Sequence, residues 1–367
     1  MKKEEDIFVT KPEMPDFNEF TDSLKTIWES KILTNNGPFH QAFEQELKTH
    51  LNLDHISVYS NGTIALLAAL KVLNLTGEII TTPYSFVATS HAIFWNNLTP
   101  VFADVCPKTG NLDPKSVEAL INERTSAIMP VHVYGNPCDM DAFDILAEKY
   151  KLKLVYDAAH CFDVKQGDES ILERGDLSIL SFHATKVFNS IEGGAIVSKY
   201  PTLIEKLNKL KNFGFKNELQ IEGYGINGKM NELQAAFGLL QLKSVATSIN
   251  NRKLIVDTYH ELLTNKNGIS ILPFDEKFEQ NYSYMPIIIE ESYSIDRDEL
   301  YEKLKENGIY SRRYFYPLIS NLENYKQFAS ANKLALKNAN HLADKVLCLP
   351  LYAELSQENV KRICQLI

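Results

Sequence analysis

The sequence predicts an α/β protein, a seven-stranded, mostly parallel sheet followed by a small α+β C-terminal domain. Seven short β-rich runs lie between residues 55 and 197, helical stretches separate most of them, and the character of the chain changes after residue 230. The runs span 55–60, 78–83, 99–105, 126–134, 153–157, 177–182 and 194–197. After the first, GTIALLAALKVL is apolar nearly all round, as expected of a helix buried against a sheet. Between the fourth and fifth, Asp139 is placed to cap a helix whose Phe143, Leu146, Ala147 and Tyr150 share one face. Such strand–helix–strand units predict parallel strands covered on both faces. Only residues 183–193 join the sixth run to the seventh, too few for a helical crossover, so this pair is expected to be antiparallel.

Beyond residue 230, MNELQAAFGLLQL places Leu233, Ala236, Phe237 and Leu240 on one helical face, and helix is expected to about residue 265. It should lead from a large domain, 1–245 with an N-terminal arm, into a small one, 246–367. Two strands are expected at 269–272 and 284–290, then a helix opened by Asp296 with Glu299 three residues on. Further helix is expected over about 330–345, and a last helix from near Ser356.

Lys and Arg number 38 against 47 Asp and Glu, a net charge of −9, which makes nucleic acid a poor partner. No apolar run approaches the 18 or so residues of a membrane span, and the opening residues MKKEEDIFVTKPEM mix charges of both signs, unlike an export signal. Five scattered cysteines without a CxxC pair read as reduced thiols, so a cytoplasmic protein without a metal site is expected.

Open parallel sheets bind ligands beyond the carboxyl ends of their strands, so the residues following each run carry the chemistry. Ser60-Asn61-Gly62-Thr63 follows the first run and opens a helix. By itself this is an ordinary strand-to-helix turn, but glycine allows close backbone approach and helix-start N–H groups favour a phosphate. Asp157-Ala-Ala-His160 begins on the last residue of the fifth run; it reads equally as a helix-capping Asp with a core His, but a carboxylate there needs a partner if it is buried. Lys186, in His183-Ala184-Thr185-Lys186, falls in the short connection after the sixth run. A lone lysine reads as a surface residue, but desolvation at the ligand end of a sheet would make it a nucleophile.

Together these three features answer three needs of pyridoxal 5'-phosphate: a phosphate to anchor, an aldehyde to condense with lysine, and a ring nitrogen kept protonated by a carboxylate. Phe86, just past the second run, can offer its face to the ring or simply fill the core. Gly223-Tyr224-Gly225-Ile226-Asn227-Gly228 fits the dinucleotide fingerprint, but it follows KNELQIE, read as no strand, and lies outside the strand array.

SNGTIAL, TTPYSFVAT, DAAH, SFHATKVFNSIEGGAIV and NGKMNELQAAFG, in this order, resemble the DegT-type nucleotide-sugar aminotransferases from about residue 8 to the end. The resemblance implies fold type I, the aspartate aminotransferase-like fold of pyridoxal phosphate enzymes, and a homodimer with active sites at its interface. It assigns Lys186 as the Schiff-base lysine and Asp157 as the partner of the ring nitrogen, with His160 beside the ring hydroxyl. It places Gly62, Thr63 and Ser181 at the phosphate, Phe86 against the ring, and Asn227 at the phosphate of the neighbouring subunit. Lys229 stands where the family commonly has Arg, and Ile319, after Tyr316-Pro317-Leu318, where many members have His; Lys229 and Tyr316 are the expected substrate contacts. HATKVFN and IEGG point to the branch acting on a dTDP-linked sugar. The implied reaction moves an amino group from L-glutamate, leaving 2-oxoglutarate, to C4 of dTDP-4-dehydro-6-deoxy-D-glucose for surface-glycan (O-antigen, lipopolysaccharide) biosynthesis. The same chemistry at C3 of a 3-dehydro sugar, or a non-catalytic regulator that binds the cofactor, are the alternatives. Lysine at 186, where related dehydratases have His, argues against dehydration.

Overall fold

The structure is a computed structural model that describes residues 6–367; residues 1–5, part of the opening segment read as no export signal, lie outside it. All seven expected strands form and share one sheet: β1 (Ile56–Tyr59), β2 (Glu78–Thr81), β3 (Thr99–Phe102), β4 (Thr125–Met129), β5 (Lys153–Asp157), β6 (Leu177–Ser181) and β7 (Gly194–Val197). Their spatial order is β1-β7-β6-β5-β4-β2-β3. Strand β7 runs antiparallel to both its neighbours, and the remaining pairs are parallel. The fourth run is shorter than expected. It leaves the sheet after Met129, and Val133–Gly135 form a 3-10 turn.

Helices cover both faces, as buried strands require. Alternate strand residues point to opposite sides, and the two resulting cores are distinct. On one side Val58, Ile80, Ile128, Leu154, Leu180 and Val197 pack with α2 (Pro38–Leu51), α6 (Met140–Tyr150) and α8 (Glu232–Leu242). On the other Tyr59, Ile79, Met129, Val155, Ile179 and Ile196 pack with α3 (Gly62–Val72), α4 (Ala88–Trp95) and α7 (Pro201–Leu210). Helices α1 (Phe17–Ser30) and α5 (Pro114–Glu118) complete this part. Asp139 caps α6 as expected, but Tyr150 lies at the rim, where its hydroxyl donates to Glu118. On α8, Ala236 and Phe237 are buried while Leu233 and Leu240 are half-buried, because α2 and α1 pack on a wider face than the spacing implied.

Helix α9 (Val245–Leu263) leads into the small unit, a three-stranded antiparallel sheet of β8 (Ile269–Ile271), β9 (Met285–Ile289) and β10 (Val346–Leu349). Strand β10 was not anticipated; the helix before it, α11 (Lys337–Lys345), is shorter than the 330–345 expected. Helices α10 (Arg297–Glu306), opened by the Asp296–Glu299 capping box, and α12 (Gln357–Leu366), capped by Ser356, stand where the sequence put them. They pack with α9 on one face of the sheet. The other face, through Ile288, Val346 and Cys348, joins Phe315, Tyr84, Val131 and Tyr134 in a core shared with the strand ends of the large sheet. Among the described residues no helix is long and apolar enough to cross a membrane.

Glu232 ties α8 to α2. Its carboxylate, 1% exposed, accepts the Phe39 and His40 N–H groups at 2.8 and 2.9 Å, satisfying donors that a helix start leaves free. Gly37 makes room for it, since a Cβ there would lie 2.6 Å from Glu232 Cδ. Glu232→Ala is expected to lower unfolding stability by about 2–4 kcal/mol, read from denaturant or thermal unfolding, because two N–H groups lose a charged acceptor. An unchanged unfolding midpoint would contradict this role.

Candidate active site

The carboxyl ends of β1, β2, β5 and β6 lie along one edge of the sheet, and the expected chemical residues follow each of them. Antiparallel β7 is what draws β1 and β6 together: Gly194 pairs with Tyr59 on one side and Ser181 on the other. A side chain at 194 would strike the turn above it, since a Cβ would lie 2.7 Å from the Gly62 nitrogen. A Cβ on Gly62 would in turn meet Ser181 Cβ at 3.0 Å. Two residues 119 positions apart therefore face one another at the start of α3, whose cap, Asn61, accepts the Ile64 N–H at 2.9 Å. Thr63 is exposed on the first turn.

Asp157 closes β5 and is 5% exposed. Thr89, in the first turn of α4, donates its hydroxyl to Oδ2 at 2.8 Å, and the Ala159 N–H reaches Oδ1 at 3.2 Å. Burial raises the carboxyl above its ordinary range; these two donors and the nearby Lys186 charge oppose that shift. The Lys186 N–H donates to the His183 carbonyl at 2.9 Å, and desolvation, against the pull of Asp157, lowers its ammonium to about 8.

His160 shares a small cavity with Lys186, walled by Phe162, Asn281, Ser283 and Tyr284. Its ring lies parallel to Phe315 at 6.1 Å and meets the Tyr284 edge at 4.9 Å. Burial first, and Lys186 second, hold it well below the ordinary histidine range, so it is neutral. Its Nδ1 is buried without a hydrogen-bond partner. The backbone carbonyl of His160 accepts from Asn281 and Ser283 at 2.8 and 2.7 Å, so the small unit clamps the loop after β5.

Phe86 is 60% exposed, not a core aromatic, and its carbonyl accepts from Thr89. The structure thus gathers Asp157, His160 and Lys186, sets Gly62 against Ser181, and links Phe86 to Asp157 through Thr89. Three other expected residues stand apart. Lys229 donates to Asn212 at 2.9 Å and lines a separate cavity with His40, Glu44 and Lys211. Tyr316 lies under the Arg297 guanidinium, 4.6 Å from its ring centre. Asn227 is exposed, next to Gly228, whose carbonyl accepts the Ser60 N–H at 2.9 Å. The segment before the glycine-rich stretch, expected to hold no strand, folds as a short exposed hairpin, Phe215–Asn217 with Gln220–Ile221, outside the main sheet.

Thr89, Tyr284 and Phe315 were not identified from the sequence. Each sits in an apolar or aromatic run that looks like core, and their nearness to Asp157 or His160 depends on pairings across 68 residues or more.

Similarity to known proteins agrees with this geometry. The chain is 48% identical to dTDP-4-amino-4,6-dideoxy-D-glucose transaminase from Escherichia coli over 360 residues, 98% of this chain and 97% of that one. It is 49% identical to the protein of the same name from Shigella dysenteriae, covering 99% of both. Among solved structures, DesI in the presence of its TDP-sugar product superposes with a TM-score of 0.94 at 34% identity, over 99% of this chain and 92% of DesI. Helicobacter pylori PseC, an aminotransferase, superposes with a TM-score of 0.92 at 28% identity, over 99% and 98%. The DegT/DnrJ/EryC1/StrS aminotransferase family model matches residues 16–367, and with the full-length likeness this shows that the chain belongs to that family.

Proposed function

We propose that the protein passes the amino group of L-glutamate to C4 of dTDP-4-dehydro-6-deoxy-D-glucose, giving dTDP-4-amino-4,6-dideoxy-D-glucose for surface-glycan biosynthesis. The observation that carries transamination is a lysine with its ammonium lowered to about 8, beside a buried carboxylate and a neutral histidine at the ligand edge of the sheet. The choice of sugar rests on the 48–49% identity to two proteins of that activity.

Pyridoxal phosphate is the cofactor of this aminotransferase family. The site fits it. The Gly62–Ser181 approach is tight for any side chain under a helix start, Asp157 is buried with acceptor capacity to spare, and the His160 Nδ1 lacks a partner. When bound, the cofactor supplies an electrophilic carbonyl and a ring that draws electrons from the carbon losing its proton.

The residues divide that work. Gly62, Thr63 and Ser181 would hold the phosphate at the start of α3 through neutral donors, and Asn227 of one subunit would reach the phosphate in its neighbour. Phe86 would offer its face to the ring and His160 would stand beside its hydroxyl. Asp157 holds the proton on the ring nitrogen. Lys186 Nζ would anchor the cofactor; released by the donor amine, it would carry the proton from the α-carbon of glutamate to the cofactor's reactive carbon, and in the second half-reaction from that carbon to C4 of the sugar. Lys229 and Tyr316 meet the sugar nucleotide. A homodimer is supported by the exposed arm after α7, where Leu219 and Tyr224 are each 95% exposed. The two domains, divided at 245/246 where α9 begins, act on one site in a cytoplasmic enzyme.

Incubation with glutamate and dTDP-4-dehydro-6-deoxy-D-glucose is expected to place the new amine at C4, located by NMR; an amine at C3, or no amine, overturns the proposal. Lys186→Ala is expected to abolish the visible absorbance of the lysine-bound cofactor and to slow transamination by about 10³-fold or more. Survival of that band would remove Lys186 from its role. Because the neutral amine is the reactive form and its pKa is lowered from 10.5 to about 8, cofactor uptake by the apoenzyme should accelerate about tenfold per pH unit below 8 and level off above it, measured by stopped-flow absorbance.

A further inference from the structure

We propose that Thr89, with Ser85 behind it, is a positioning residue that orients the Asp157 carboxylate toward the cofactor's ring nitrogen. This rests on the reading of Asp157 given above and extends it to residues with no assigned role.

The geometry is a directed chain of hydroxyls. Thr89 is 0% exposed, and its Oγ1 lies 2.8 Å from Asp157 Oδ2, 3.2 Å from the Phe86 carbonyl and 3.0 Å from Ser85 Oγ. A hydroxyl carries one proton, which goes to the nearer and charged acceptor, Asp157. Ser85, also buried, then donates into the Thr89 oxygen, so both protons point toward the carboxylate. Asp157 Oδ1 has the longer bond from the Ala159 N–H, 3.2 Å. Two donors leave a carboxylate with acceptor sites free for a third N–H group.

The environment makes this support matter. The titratable groups around Asp157 are Lys186 in the connection after β6, His132 in the loop after β4, whose N–H donates to the Asp157 carbonyl, His160 and Cys161 after β5, and Tyr284 before β9. Lys186 is the positive charge among them; His132 and His160 are held neutral by burial. Burial favours a protonated Asp157, which could not keep the ring nitrogen charged, and the Thr89 hydroxyl is the leading influence against it. Thr89 also bonds the Phe86 carbonyl through its N–H, so one residue spaces the Asp157 carboxylate relative to the backbone of Phe86.

The test compares Thr89→Val, which keeps shape and loses the hydroxyl, with Thr89→Ser, which keeps the hydroxyl, and with Ser85→Ala. The readouts are the pyridoxal phosphate dissociation constant and the pH dependence of the bound cofactor's absorbance. Thr89→Val should weaken cofactor binding about tenfold or more and move the spectral transition to lower pH, while Thr89→Ser stays within about twofold of the parent. Ser85→Ala should fall between them. Parent-like binding and spectra in Thr89→Val overturn the proposal, as does a Thr89→Ser variant as impaired as the valine, which would mean a packing role. Should Thr89→Val fail to fold, a parent-like Ser85→Ala spectrum overturns it instead. A parent protein that binds no pyridoxal phosphate overturns both this inference and the functional reading beneath it.

Discussion

Asp157 ends a strand whose last four residues are all buried, and an ionised carboxylate in such a place requires donors and a nearby positive charge. Thr89 and Ala159 are the donors, and Lys186 is the charge. Each comes from a different part of the chain: the first turn of α4, the loop after β5, and the connection from β6 to β7. The carboxylate is therefore held by the whole edge of the sheet. Lys186 is bound into the same arrangement, since the desolvation that lowers its ammonium is offset in part by Asp157.

Strand β7 sets the second half of the site. Running against both its neighbours, it lets a connection of twelve residues carry Lys186 back over the strand ends, where a parallel crossover would have needed a helix. Its first residue, Gly194, lies beneath the Asn61–Gly62 turn and beside Ser181, so the start of α3 meets the end of β6. The small unit adds the remaining wall. Asn281 and Ser283 grip the His160 carbonyl, while Phe315 and Tyr284 enclose its ring, and this shared core fixes the two parts of the chain relative to each other.

An acidic chain can hold phosphate-bearing ligands under this arrangement. Net charge describes the field far from the surface, whereas under the proposed reading Gly62, Thr63 and Ser181 would act at hydrogen-bond range as neutral donors at a helix start. The opposite holds for Lys229, whose charge reads on paper as a ligand contact but whose ammonium in the single chain turns to Asn212 and the Phe213 ring.

The seven strands, the antiparallel β6–β7 pair, the caps at Asp139, Asp296 and Ser356, and the identities of Lys186, Asp157, Gly62 and Ser181 were legible in the sequence. Except for Ser181, which the family resemblance supplied, each follows from local rules: short β-rich runs, cap chemistry, connection length, or a residue type at a strand end. Strand β10 was not legible, because VLCL becomes a strand by pairing with β9 rather than by its own length, nor was the true extent of the fourth run, which leaves the sheet at Met129. Thr89, Tyr284 and Phe315 belong with these. A threonine in SFVATS looks the same whether its hydroxyl meets solvent, its own helix or a carboxylate 68 residues away. The sequence by itself determined which chemical groups the chain possesses and on which strand ends they stand. Tertiary structure alone decided which of them are desolvated together, because burial and distance depend on every element that packs around them.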